Sequence, residues 1–154
     1  SDIKLYFSQY SLTLDSFIIG DTLGTGTFGR VRLVQCNYKG IAKTLALKML
    51  KKSEIIRLKQ VEHIKAEKSI LLKINNPYIV NLYATFQDER YVHMLMEYVI
   101  GGELFSLLRR EGKFDNDVAK FYAAEIITAL EYLHEQVRLL FLFINYIRIL
   151  YIVI

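Results

Sequence analysis

The chain has 154 residues, enough for one domain of ordinary size, with 20 Lys and Arg against 16 Asp and Glu. The formal net charge of +4 falls to +2 without the two arginines that follow Gln136, so charge provides no argument for nucleic-acid binding. The single Cys36 excludes an internal disulfide, and the first residues do not resemble a signal peptide. We therefore expect a reducing, cytoplasmic setting.

Hydrophobic periodicity divides the chain into short elements. Residues up to about Asp15 predict an irregular or partly extended lead-in. Alternating apolar residues then predict strands at 17–25, 29–36, 43–50, 81–87 and 91–98. Helical spacing predicts helices at 53–60, 62–73, 103–110 and 117–136. The second helix is expected to stop before Pro77, and Asp115 is expected to cap the last one.

A glycine-rich turn joins the first two predicted strands. It reads Gly24-Thr25-Gly26-Thr27-Phe28-Gly29-Arg30-Val31. Glycine lets backbone approach a phosphate without a Cβ in the way. A dinucleotide-binding fold would need a helix at the third glycine and an acid about 20 residues later. Here a strand follows, which favours a flap over a nucleotide; the alternative is a hairpin whose glycines serve turn geometry alone.

Two charged residues lie in apolar surroundings behind this turn. A period of two places Ala46, Lys48 and Leu50 on one face of the third predicted strand. Glu67 falls in the apolar stripe of the helix at 62–73. Leaving either charge buried and alone would cost about 3 to 5 kcal/mol, so we predict that Lys48 and Glu67 pair. The alternative is that the lysine extends to water and the glutamate lies on an exposed helix edge.

Together, the G-x-G-x-x-G-x-V turn, Lys48 and Glu67 resemble the catalytic domain of eukaryotic protein kinases. Residues 60–63, 96–105 and 109–114 are similar to the cyclic-AMP-dependent kinases of the AGC group. The resemblance runs from about Leu14 to Gln136. It implies an α+β fold, in which 17–99 form an N-terminal lobe with a five-stranded antiparallel sheet and one long helix. Residues 1–16 would be a lead-in, and 100–136 would supply two helices of a helical second lobe.

The resemblance also implies an ATP site. The side chains expected around the adenine ring are those of Leu23, Val31, Ala46 and Met96. The main chain expected to hydrogen-bond the edge of the ring is that of Glu97 and Val99. From the residues alone, Ala46, Met96 and Val99 would equally fit plain core packing.

The remaining implied roles concern the phosphates and the partners. Lys48, positioned by Glu67, would hold the α- and β-phosphates under the loop at 24–29, and Mg²⁺ is expected in the family. Glu103 would contact the ribose and help to recognise a basic residue upstream of the phosphoacceptor. His63 would face a phosphate on the activation loop. The implied partners are ATP, protein substrates with basic residues upstream of Ser or Thr, and a regulatory subunit.

The sequence departs from the family pattern after His134. The family continues with Arg-Asp-x-x-x-x-Asn and Asp-Phe-Gly, which supply the catalytic base and the magnesium ligands, and neither occurs in the 154 residues. Instead, 15 of the last 18 residues, 137–154, are apolar. The two arginines in this segment make a membrane span costly. We therefore interpret the segment as the product of translation past a splice junction or of a frameshift; the alternatives are a membrane anchor and a genuine divergent ending.

Two function classes follow from these observations. The first is a serine/threonine kinase of which this chain is a fragment that retains the ATP-binding elements but is inactive as given. The second is a catalytically inactive nucleotide-binding or partner-binding module. Every motif before Gln136 serves both classes, and no metal site is predicted from the residues present.

Overall fold

A computed structural model describes residues 2–136, and the predicted apolar tail, 137–154, lies outside the described residues. The helices are α1 (Asp2–Ser8), α2 (Lys52–Arg57), α3 (Val61–Lys73), α4 (Leu104–Glu111) and α5 (Asn116–Gln136), with a 3-10 turn at Leu14–Ser16. The strands are β1 (Ile18–Gly26), β2 (Gly29–Tyr38), β3 (Ile41–Lys51), β4 (Leu82–Gln87) and β5 (Tyr91–Glu97). One compact unit contains the chain up to Ile74 together with Asn81–Tyr98. A second contains Asn75–Val80 and the described residues from Val99 onward.

The first unit is built on one sheet. Its strands are arranged in the order β1-β2-β3-β5-β4, and every neighbouring pair is antiparallel. The predicted five-stranded antiparallel sheet is therefore confirmed. β3 lies at its centre because its apolar run can be covered on both faces. The side chains buried on the face away from Lys48 include Val34, Leu45, Leu47 and Leu95.

The prediction of an irregular lead-in was wrong at its start, because residues 2–8 form α1. The side chain of Phe7 is only 4% exposed and joins the core cluster that contains Phe17. The ring of Tyr6 meets that of Tyr38 edge-on, with the centroids 4.7 Å apart. An isolated helix of this length is not stable in water, so packing on the sheet, rather than local propensity, maintains it.

The helix after β3 is shorter than predicted. The spacing predicted a helix at 53–60, whereas α2 ends at Arg57. Lys59 adopts a φ of 53°, in the left-handed region, where a right-handed helix cannot continue. No glycine in residues 52–60 signals this stop in the sequence. The turn is closed by the Gln60 N–H, which donates to the carbonyl oxygen of Ile55.

The second unit contains α4 and α5. The Asp115 carboxylate accepts hydrogen bonds from the amides of Asp117 and Val118, which confirms it as the cap of α5. The apolar stripe of α5 is mixed, because Tyr122 is buried whereas Phe121 is exposed. Within residues 2–136, no helix is both long and apolar enough to cross a membrane.

A buried histidine fixes the turn between β4 and β5. The side chain of His93 is fully buried, is stacked on Phe86, and donates through Nε2 to the Asp88 carboxylate at 2.6 Å. The same carboxylate accepts from the amides of Arg90 and Tyr91, each at 2.7 Å. The bond from His93, aided by the two amides, lowers the pKa of Asp88 to about 2.

We predict that Asp88→Asn destabilises the fold only while the carboxylate is ionised. A carboxyl whose pKa is lower in the folded state stabilises that state above its unfolded pKa, and this contribution disappears as pH falls toward the folded value. The variant should melt a few degrees below the wild type at pH 7, and the difference should close between about pH 4 and pH 2. Thermal melts across this range test it. The exposed neighbour, changed as Glu89→Gln, is the control, and an equal gap at pH 7 and pH 2 would contradict the prediction.

Candidate functional site

The glycine-rich turn is a tight hairpin between β1 and β2, as predicted. Gly26 lies opposite Gly29, so that Thr27 and Phe28 form the turn itself. The carbonyl oxygen of Phe28 accepts from the amide of Lys51 at 2.8 Å. This bond attaches the tip of the hairpin to the end of β3.

The three glycines of the hairpin are required for different reasons. A Cβ built on Gly29 would lie 1.9 Å from the carbonyl oxygen of Met49, so only glycine fits between β2 and β3 there. A Cβ on Gly24 or Gly26 would meet nothing within 4 Å. The protein itself therefore demands glycine at position 29, whereas the space beside Gly24 and Gly26 is open to a ligand.

Strand register assembles a single face beneath this hairpin. Val31, Lys48 and Met94 lie directly opposite one another on β2, β3 and β5. The adjacent row on the same face consists of Leu33, Ala46 and Met96. Three predicted adenine-site residues, Val31, Ala46 and Met96, thus share a face with Lys48. Leu33 and Met94 were not predicted as part of it, because the period within a strand does not give the register between strands.

Leu23 lies on β1 next to Gly24 and is 38% exposed. The pairing of β1 with β2 is irregular between Thr22 and Gly24. This irregularity locally alters how side chains alternate along β1. The role of Leu23 at the adenine ring stays a prediction.

Lys48 and Glu67 form the ion pair predicted from the sequence. The Nζ of Lys48 lies 2.9 Å from Oε1 of Glu67, and the two side chains are only 20% and 13% exposed. Burial raises the pKa of the Glu67 carboxyl above its ordinary value, and the nearby Lys48 offsets part of that rise. The pair is therefore held together where water is largely excluded, so that neither charge can replace its partner by hydration without moving.

Packing of α3 determines where Glu67 lies. Leu71 and Ile74, one and two turns further on, are 2% exposed and fix the helix against the sheet. Ile64 lies one turn before Glu67 on the same stripe, as the helical spacing predicted. His63, in the first turn, is exposed, and its ring is hydrogen-bonded to the side chain of Gln60 at 2.6 Å. Its role toward a phosphate stays a prediction.

The end of β5 is fixed by a second polar pair. The Glu97 amide donates to the carbonyl oxygen of Asn81, and the Glu97 carboxylate accepts from the backbone and side-chain nitrogens of Asn81. Sequence reasoning gave Glu97 a backbone role only, because nothing in the pattern relates it to a residue 16 positions earlier. Val99 and Glu103 belong to the second unit, where the Glu103 carbonyl oxygen accepts from the amides of Ser106 and Leu107 in the first turn of α4.

Comparison with known proteins matches these features to a family. A family model described as the protein kinase domain matches residues 17–141. The cAMP-dependent protein kinase type 3 of Saccharomyces cerevisiae is 52% identical over 83% of this chain and 31% of its own length. The cAMP-dependent protein kinase catalytic subunit of Dictyostelium discoideum is 55% identical over 74% of the chain and 17% of its own length. The human catalytic subunit PRKX is 48% identical over 80% and 34%. The chain thus spans about a third or less of these relatives.

We predict that alanine at Gly29 destabilises the fold and that alanine at Gly26 does not. Gly29→Ala forces a Cβ against the Met49 carbonyl and should lower the melting temperature by several degrees. Gly26→Ala has open space around its Cβ and should melt within about a degree of the wild type. Thermal melts of the two single variants test this contrast. Equal destabilisation by both would show that the hairpin packs differently.

Proposed function

Since the chain belongs to the protein kinase family, we propose that its first unit binds ATP on the face that carries Lys48. We further propose that the whole protein transfers the γ-phosphoryl group of ATP to serine or threonine side chains of proteins. The observation that supports this most directly is the 2.9 Å pair between Lys48 and Glu67, on the strand face below the hairpin. In protein kinases a lysine at this place holds the nucleotide phosphates, and the glutamate holds the lysine in position.

The residues of the face fit the chemistry of ATP. Val31, Ala46 and Met96 offer an apolar surface, in which the small side chain of Ala46 leaves room for a planar ring. The open space at Gly24 and Gly26 would let backbone amides of the loop 24–29 approach phosphate oxygens.

The ion pair would give Lys48 a defined position. A lysine on a flexible stem loses conformational entropy when it binds a phosphate, and a carboxylate that already holds it reduces this loss. Glu67 does this only when ionised, that is, above its raised pKa. The Lys48 ammonium would then neutralise charge on the α- and β-phosphates, which is a requirement for phosphoryl transfer.

The further parts of the reaction are proposed by family membership. Protein kinases use Mg²⁺ to neutralise charge on the phosphates, and the Asp-Phe-Gly and Arg-Asp-x-x-x-x-Asn segments of the whole protein would hold it. Glu103 is proposed to contact the ribose and a basic residue of the substrate, Val99 to bind the adenine edge, and His63 to face an activating phosphate. A regulatory subunit as partner and a cytoplasmic location are proposed from the similarity to cAMP-dependent kinases.

A second candidate function is nucleotide or partner binding without catalysis. Every motif before Gln136 would serve this candidate as well as the first. Binding of ATP is common to both candidates, whereas phosphoryl transfer separates them.

We predict that Lys48→Met weakens ATP binding at least tenfold while the fold persists. Methionine keeps the length and apolar stem of lysine but removes the cation that faces the phosphates. The substitution leaves Glu67 without its ion-pair partner, so the carboxyl must become protonated or turn toward water. This should lower the free energy of unfolding by about 1 to 3 kcal/mol. Titration with a fluorescent ATP analogue and a thermal melt measure the two effects.

The matched control for this experiment is Lys43→Met. Lys43 lies on the same strand, β3, and is exposed, so the variant has the same change in net charge. It should bind the analogue as the wild type does. Unchanged binding in the Lys48 variant would remove this lysine from the site.

We also predict that the purified polypeptide of residues 1–154 shows no magnesium-dependent transfer of phosphate to a basic peptide. Positioning of the nucleophile and the metal depends on segments that are not in this sequence. Incubation with radiolabelled ATP measures transfer. Incorporation that is abolished by Ala46→Phe, which would fill the adenine space, would contradict the prediction and show that these residues suffice for catalysis.

A further inference from the structure

The side chain of Lys4 joins the N-terminal helix α1 to the far end of α3. Its Nζ donates to the carbonyl oxygen of Leu72 at 3.1 Å and to that of Ile74 at 2.7 Å. Since α3 ends at Lys73, both acceptors lie at its C-terminal end. Lys4 is thus bonded to residues 68 and 70 positions later in the chain.

The end of α3 is suited to a cation. The last carbonyls of a helix have no amide partner within it, and the aligned peptide dipoles place a partial negative charge there. Lysine side chains near a helix end can satisfy these carbonyls. Burial lowers the pKa of the Lys4 amine, because the ammonium loses part of its hydration where it makes these two bonds.

The other end of this connection is fixed as well. Phe7, one turn after Lys4 on α1, is buried in the cluster with Phe17, Leu45 and Leu47 on the sheet face away from Lys48. α1 is therefore attached to the sheet, and Lys4 attaches α3 to α1. The carboxylate-bearing residue Glu67 precedes Leu72 by five residues, which is about 7.5 Å along the helix axis.

We propose that Lys4 is a positioning residue that fixes the C-terminal end of α3 against the sheet and thereby sets the position of Glu67 opposite Lys48. The effect on nucleotide binding rests on the function proposed above, whereas the effect on α3 does not. A merely local role, in which Lys4 stabilises only α1, predicts no change in α3 and no dependence on Glu67.

The test uses the full chain of residues 1–154 with Lys4→Met, Lys4→Arg and Lys73→Met. Arginine keeps the charge and the donors. Lys73 is an exposed cation in the last turn of α3, so its variant removes the same charge from the same helix end without removing the bonds of Lys4. Phe7 is retained throughout. If Lys4→Met folds poorly, Lys4→Gln replaces it with the same expectations.

The first measurement is amide hydrogen exchange over residues 61–74 without nucleotide. We expect exchange two- to fivefold faster in Lys4→Met at the end of α3, including the Ile74 amide that donates to Ile70, with Lys4→Arg and Lys73→Met close to the wild type. Exchange in Lys4→Met equal to that in Lys73→Met would overturn the proposal. This measurement does not depend on nucleotide, so it tests the role of Lys4 in α3 separately from ATP binding. Failure of the wild type to bind ATP would overturn the proposed function and not the role of Lys4 in α3.

The second measurement is affinity for the fluorescent ATP analogue in a cycle with Glu67→Gln. We expect Lys4→Met to weaken binding by roughly two- to fivefold in the wild-type background, and Lys4→Arg to bind as tightly as the wild type. In the Glu67→Gln background, Lys4→Met should cause no further loss of affinity. Rescue by arginine and dependence on Glu67 distinguish positioning from general stability. An undiminished loss in the Glu67→Gln background would overturn the proposal.

Discussion

The buried pair of Lys48 and Glu67 constrains how α3 can dock against the sheet of the first unit. Two opposite charges that are mostly removed from water are tolerable only at contact distance, here 2.9 Å. β3 and α3 must therefore dock in a position that keeps this contact, and the packing of Leu71 and Ile74 against the sheet holds α3 there. Burial still raises the pKa of the Glu67 carboxyl, which shows that the site holds this charge at some cost. Such a cost is common at functional sites, where charge must be present before the ligand arrives.

The hairpin above the pair separates a structural requirement from a functional one. Gly29 is needed by the protein, because the Met49 carbonyl occupies the position of a Cβ. Gly24 and Gly26 are not needed in this sense, since open space surrounds them. Glycine at these two positions fits the proposed approach of phosphate oxygens to the backbone amides of the loop. This division could not be obtained from the motif, in which all three glycines look alike.

Much of the first unit was predictable from local signals. Alternation of apolar residues located all five strands to within two residues, since a sheet with one well-packed face imposes a period of two. Helical spacing placed Glu67 on the buried stripe of α3 for the same kind of reason. α2 ended early because Lys59 takes a left-handed conformation without a glycine to announce it. α1 was missed because a short helix is maintained by the surface that Phe7 fills, and that surface exists only after the sheet has formed.

The sequence by itself determined the ion pair of the candidate site. A lysine and a glutamate in apolar segments have few partners that make burial tolerable, so Lys48 and Glu67 could be predicted to pair. Only the tertiary structure decided what holds them in place. Register between strands places Met94 opposite Lys48, and the folded chain buries His93 in contact with Asp88. The ammonium of Lys4 binds the carbonyl oxygens at the end of α3. Lys4 and Ile74 are 70 residues apart. A lysine near the surface looks the same in the sequence whether it extends into water or binds a distant helix end, so its contact depends on the folded chain.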